Sequence, residues 1–154
     1  MELSTILAPQ AVLANVKANS KKQVLQELAS AVAPVAKLDE GLVFDTLLQR
    51  ERLGSTGVGN GVAIPHGKFP MIAGMTGLFA RLARPIPFDA IDDQPVDIVF
   101  MLLAAEGSGA DHLKALSRIA RILRDQSILG QIRASREADT LYSLLTEDDI
   151  ESVA

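Results

Sequence analysis

Cysteine and tryptophan are absent from this chain, and tyrosine occurs once in its 154 residues. Without cysteine there is no disulfide framework, no thiol nucleophile and no thiolate metal site. Nucleic-acid binding wants a basic surface, often with aromatic platforms. Here 15 Lys and Arg face 19 Asp and Glu, a formal net charge of −4, and aromatics make up 4%. No nucleic-acid partner is expected. Long apolar runs are also missing: the longest, Ile98 to Ala105, is far short of the roughly 20 residues a membrane helix needs. Glu2 stands where a signal peptide would carry basic residues. The expectation is a cytoplasmic protein with no membrane insertion. A hydrophobic content of 48% and this length suit one domain, residues 1–154, with a sizeable core.

Familiar catalytic spacings are missing as well. There is no G-x-S-x-G elbow and no H-E-x-x-H. Asp89, Asp92, Asp93 and Asp97 follow no EF-hand spacing, and both histidines lie elsewhere. Turn-forming aspartates ahead of a buried strand account for them. Neither a metal nor a cofactor is expected.

What the chain does have is concentrated between Gly54 and Lys68. This run holds five of the eleven glycines (54, 57, 59, 61 and 67), two hydroxyls, and His66 between Pro65 and Gly67. Glycines let backbone N–H groups approach and point at an anion. Pro65 fixes its own φ, so His66 is expected at a strand end. The spacing is not a nucleotide motif. Gly57-Val-Gly59-Asn-Gly61 lacks G-x-G-x-x-G and precedes a strand; Gly61 to Lys68 is one residue too long for a P-loop, and Phe69 replaces its Ser or Thr.

A histidine in such a setting suggests phosphoryl chemistry on the imidazole, whose neutral nucleophilic form exists near pH 7. Donors to match are the amides of Gly57, Gly59, Asn60 and Gly61, the hydroxyls of Ser55 and Thr56, and Lys68. Arg52 either joins them or caps the end of its helix. His112 borders the apolar face of a later helix, as a packing residue or as a second imidazole facing His66. Lys114, Arg118, Arg121 and Arg124 share one helix side, either a solvated face or a docking surface for an acidic protein.

The hydrophobic pattern predicts a strand at Val12 to Lys17 and a helix opened by the capping box Ser20-Lys-Lys-Gln23, with Leu25, Leu28, Ala29 and Val32 inward. Asp39 is the N-cap of a second helix that turns Val43, Phe44, Leu47 and Leu48 to the core and stops at Gly54. Strands follow at Val62 to Ile64, at Gly77 to Arg84, closed by Pro85 and Pro87, and at Asp97 to Ala105, which reads as covered on both faces. A helix from near Ser108 places Leu116, Ile119, Ala120 and Leu123 inward, and another spans Arg136 to Leu145. The order strand, two helices, three strands, helices predicts an α+β fold, a three-layer α/β/α sandwich around a mixed β-sheet.

The stretch from Arg52 through Gly54-Ser-Thr-Gly-Val-Gly-Asn-Gly-Val-Ala-Ile-Pro-His66-Gly67 resembles the active-site signature of enzyme IIA domains of the fructose/mannitol type in the bacterial phosphotransferase system. Phe88-Asp-Ala-Ile-Asp-Asp-Gln-Pro-Val-Asp97 is similar to a second block in its nitrogen-regulatory branch, and Asp111-His112-Leu113 also matches. A stand-alone domain fits that branch.

The resemblance implies a phosphotransferase component. His66 would take a phosphoryl group from the phosphohistidine of a small HPr-like carrier (NPr), passing from the carrier's Nδ1 to Nε2. Arg52 and His112 match the family's active-site arginine and second histidine. Ala105 departs from the pattern, where proline is expected. The output would be regulatory, with targets such as a transporter or a sensor kinase. A sugar-specific IIA that passes phosphate to a IIB domain, and a non-catalytic anion-binding module, are the alternatives.

Overall fold

The computed structural model describes residues 2–153, and the side-chain surroundings of residues 2–147. Two 3-10 turns, Leu3–Thr5 and Pro9–Ala11, lead into β1 (Val12–Val16), α1 (Lys21–Ala36) and α2 (Glu40–Leu53). Five strands follow: β2 (Gly57–Gly59), β3 (Val62–Ala63), β4 (His66–Phe69), β5 (Met75–Ile86) and β6 (Val96–Ala105). Three helices close the chain: α3 (Ala110–Arg124), α4 (Gln126–Ala134) and α5 (Ala138–Val153).

Local chemistry sets the helix starts. Ser20 Oγ accepts the Gln23 N–H at 3.1 Å, while Gln23 Oε1 accepts from the N–H of Asn19 at 2.7 Å. The box therefore closes one residue earlier than the reciprocal form. Asp39 Oδ2 takes the Leu42 N–H, and Asp125 Oδ1 takes those of Ser127 and Ile128. Asp125 thus opens α4 directly behind α3, a helix that periodicity alone did not reveal. Ser108 Oγ instead donates to the Ala105 carbonyl, and α3 begins at Ala110 behind Gly109.

The sheet order is β1-β5-β6-β3-β2, with β4 also on β6. β1 runs parallel to β5, β5 antiparallel to β6, and β2 antiparallel to β3. Val62 lies opposite Ile98 and His66 opposite Leu102, so β3 and β4 follow β6 in one unbroken parallel register. Pro65, which has no N–H, separates them, and its carbonyl still accepts from Leu102 at 2.9 Å.

Where three strands were expected after α2, the chain uses five. β2 and β4 hold three of the run's glycines, which have no intrinsic strand preference, and pairing with β3 and β6 fixes them. β5 also runs past Arg84 and through Pro85 to Ile86. Its ladder is irregular between Arg81 and Ile86, so the missing proline N–H interrupts no regular pairing.

α1 packs on β5 and α2 on β4, while α3 packs on β6 and α5 on β1. Between the layers, β6 is buried without a break from Ile98 to Ala104, as its continuous apolar run requires. Phe79 and Phe100 meet edge to face at 6.3 Å. Among the described residues no helix is long and apolar enough to cross a membrane.

Candidate active site

β4 decides what His66 faces. Side chains alternate along a strand, and Gly67 is turned toward α2: a Cβ there would lie 3.2 Å from Thr46 and 3.7 Å from Leu47. His66 and Lys68 therefore share the opposite face. On that side stands His112, in the first turn of α3, with ring centroids 5.6 Å apart and planes tilted by 55°. Residues 46 apart in sequence thus form one pair. Lys68 is exposed and His66 half-buried.

The His66 ring has a defined hydrogen bond. Its Nδ1 lies 2.8 Å from the carbonyl oxygen of Ile64. A carbonyl can only accept, so in the neutral ring Nδ1 carries the proton and Nε2 keeps its lone pair. His112 is only 6% exposed, and its Nδ1 is buried with no hydrogen-bond partner among the described residues. Burial, then the positive potential of His66 and Lys68, lowers its pKa below the ordinary histidine value. At neutral pH His112 is an uncharged imidazole.

Arg52 is exposed in the last turn of α2. The capping role open to it belongs instead to Arg50, whose Nη1 donates to the Gly54 carbonyl at 2.8 Å. No hydrogen bond or ion pair to a described residue holds Arg52, and none joins it to His66.

Residues 55–61 are bonded within the protein to a degree that glycine content did not announce, while Val58 and Asn60 stay exposed. Ser55 Oγ donates to the Phe88 carbonyl at 2.7 Å and accepts the Gly57 N–H at 3.0 Å. Thr56 gives both its N–H (3.1 Å to Oε2) and its hydroxyl to Glu51. Gly57 packs against Ala90, where a Cβ would come within 2.7 Å. Gly59 closes β2 opposite Val62. Asn60 donates its N–H to Asp92 at 3.0 Å, and its carbonyl accepts from Arg133 Nη2 at 2.6 Å. At Gly61, φ is +79°, and any Cβ would strike Arg133 and lie 2.9 Å from Asp97. The amides of Gly57 and Asn60 and the two hydroxyls are thus already bonded within the protein.

The acidic stretch 88–97 serves the same joint. Asp89 and Asp93 take left-handed turn conformations, at φ 55° and 57°. Backbone N–H bonds from Asn60 and Gln94 hold Asp92 below the usual carboxylate range. Asp97 pairs with Arg133 at 2.9 Å. No cluster of three or more His, Cys, Asp or Glu among the described residues is arranged to hold a metal ion. At Ala105, where proline was expected, the N–H donates to the Gly74 carbonyl at 2.8 Å, a bond proline could not make.

Sequence reading missed Glu51. It is 6% exposed and paired with Lys21 Nζ at 2.7 Å. The signal was present: Glu51 falls four residues after Leu47 and eight after Val43, on the buried stripe of α2. The basic residues of α3 behave as a surface feature, since Lys114, Arg118, Arg121 and Arg124 line a depression of about 560 Å³ with Leu113 and Ser117.

Residues 5–148 match the family model described as phosphoenolpyruvate-dependent sugar phosphotransferase system, EIIA 2. A nitrogen regulatory protein of Bradyrhizobium diazoefficiens is 59% identical over 145 residues, covering 94% of this chain and 95% of that protein. The nitrogen regulatory protein of Escherichia coli is 39% identical over 150 residues, covering 97% and 92%. Among solved structures, the nitrogen regulatory protein IIA-Ntr of Neisseria meningitidis superposes with a TM-score of 0.89 at 35% identity, covering 94% of this chain and 99% of that one. The IIA mannitol structure from Escherichia coli shares the fold, with a TM-score of 0.76 at 19% identity over 88% of this chain and 96% of that one. The paired histidines thus lie in a recognised framework: the chain belongs to the EIIA type 2 family of the phosphoenolpyruvate-dependent phosphotransferase system, in its nitrogen-regulatory, IIA-Ntr branch.

Proposed function

We propose that the protein accepts a phosphoryl group on Nε2 of His66 from a phosphohistidine carrier of the HPr type, and that its phosphorylation state selects which regulatory protein docks. The observation that carries this reading is the 2.8 Å bond from Nδ1 to the Ile64 carbonyl, which leaves Nε2 as the nucleophilic nitrogen. In the transfer, the Nε2 lone pair forms the new N–P bond as the carrier's N–P bond breaks. The released electron pair returns to the carrier's imidazole. Because Nδ1 keeps its proton, the phosphorylated ring carries positive charge, which the Ile64 carbonyl stabilises.

Little covalent help is needed in such an in-line transfer, so position and potential dominate. Lys68, on the His66 face, offsets charge on the phosphoryl oxygens. His112, neutral and 5.6 Å away, offers a ring N–H without adding a competing cation. Arg52, exposed and without a hydrogen bond or ion pair among the described residues, is the additional cation in this reading. Residues 55–61 act as the rigid seat of the site, with their bonded amides and hydroxyls fixing its shape. Leu113, exposed beside His112, and the basic depression along α3 give a partner protein a surface at the site's edge.

The test is incubation with carrier phosphorylated by labelled phosphoenolpyruvate and its enzyme I. The wild type gains one acid-labile label, and His66→Ala gains none. Persistent acid-labile label on a folded His66→Ala protein overturns the assignment. A downstream transfer assay with a IIB domain separates relay to a sugar transporter from a regulatory end point.

A further inference from the structure

Glu51 is a carboxylate where α2 should present an apolar side chain. Burying it is costly unless it is fully paired. Here it has three donors: Lys21 Nζ at 2.7 Å, the Thr56 N–H at 3.1 Å and the Thr56 hydroxyl. A buried carboxylate with three donors is a joint between segments, and what it joins can be followed outward.

What it holds leads directly to the acceptor histidine. Thr56, fixed by Glu51 at both its N–H and its side chain, accepts the Ile64 N–H on its own carbonyl at 2.9 Å. Ile64 in turn accepts the Nδ1 proton of His66 on its carbonyl at 2.8 Å. The adjacent β6 amide, that of Leu102, bonds the Pro65 carbonyl, so it does not compete for Ile64. The same joint is braced from a third side. Lys21 sits 4.8 Å over the Phe88 ring, and the Phe88 carbonyl accepts the Ser55 hydroxyl. The start of α1, the end of α2 and Thr56 therefore meet at one buried carboxylate, and Phe88 ties Lys21 to Ser55 beside it.

We propose that Glu51, seated by Lys21, is a positioning residue for His66: through Thr56 and Ile64 it fixes the carbonyl that keeps the proton on Nδ1 and leaves Nε2 open. The inference rests on the reading of His66 as the phosphoryl acceptor. Glu51 touches neither ring; it acts through two backbone carbonyls. Losing it frees Thr56, loosens the bond that holds the Ile64 N–H, lets the following Ile64–Pro65 carbonyl shift, and allows the imidazole to take the opposite tautomer or tilt away from the line of attack. Small displacements of a reacting group carry large rate costs.

The test pairs a tautomer readout with kinetics. Long-range 1H–15N spectra of histidine-labelled wild type should show neutral His66 protonated at Nδ1. Glu51→Gln, nearly isosteric, should give a mixture of tautomers and accept phosphoryl about 10- to 100-fold more slowly, with the KM for carrier unchanged. Thr56→Val should lose part of the effect and Thr56→Ser restore it, since serine keeps the hydroxyl. A folded Glu51→Gln protein with the wild-type tautomer and rate overturns the proposal. So does a Thr56→Ser variant as impaired as Thr56→Val, which would make the threonine methyl, not its hydroxyl, the relevant group. Should Glu51→Gln fail to fold, the two Thr56 variants decide the matter. The tautomer spectra need no carrier, so they test Glu51 even if the wild type takes no label.

Discussion

Residues 55–61 and residues 66–68 belong to the same glycine-rich run, yet the fold uses them in opposite ways. In the first part, hydroxyls and amides are bonded to Glu51, Phe88 and Asp92, and the tip is clamped by Arg133 against Asp97. In the second, one ring nitrogen is tied to Ile64 and the other is left open beside His112 and Lys68. In the proposed reading, a bonded scaffold and an open nucleophile are thus divided along one short stretch of chain. Stability should reside in the first part and chemistry in the second.

The sharpest attempt to break that division is Gly57→Ala. Its Cβ would fall 2.7 Å from the Ala90 side chain and 2.8 Å from the Ala90 backbone, contacts that only a shift of the main chain relieves. A loss of about 2 kcal/mol is expected in urea unfolding, with labelling of His66 retained under conditions where the variant is folded. Abolished labelling in a folded Gly57→Ala protein would show that 55–61 works in the chemistry itself.

A milder probe is Arg133→Met, which removes the pair with Asp97 and the bond to the Asn60 carbonyl. The Arg133 side chain is 36% exposed, so solvent screens the pair. The expected cost is about 1 kcal/mol, again without loss of acceptance, and it should shrink at high salt.

The smallest effect concerns the second part. Burial holds the His112 pKa below its ordinary value, so as pH falls the unfolded chain takes up this proton before the folded protein does. His112 contributes full stability above pH ~6.5 and progressively less below it, until the folded ring is itself protonated. Urea midpoints between pH 8 and 5 should show this decline in wild type and a shallower one in His112→Gln. Parallel curves would mean that the His112 environment is not coupled to folding in this way.

Much of the architecture was legible because it follows from local rules. Ser20 and Asp39 announced two helix starts through side chains that accept N–H bonds. The unbroken run from Ile98 to Ala104 announced a strand covered on both faces. β2, β4 and α4 were not legible: the first two are short and glycine-containing, and α4 is hidden behind a single linking residue, Asp125. Likewise, the run from Gly54 to Lys68 suggested an anion cradle around a histidine, but not which of its donors are already bonded within the fold. Arg50 and Arg52, two residues apart in one helix turn, illustrate the limit. Either could cap α2, and only the folded chain assigns the Gly54 carbonyl to Arg50.

The sequence by itself determined the helix caps, the buried central strand and a histidine set among glycines, because each depends on residues within a few positions of one another. Tertiary structure decided which way that histidine faces, since the Gly67 contact with α2 turns it toward α3. It also decided the pairing with His112 from 46 residues away and the proton on Nδ1. The bonding of Thr56 to a buried Glu51 was settled there too. Those outcomes depend on strand pairing and burial between distant segments, and no local pattern encodes them.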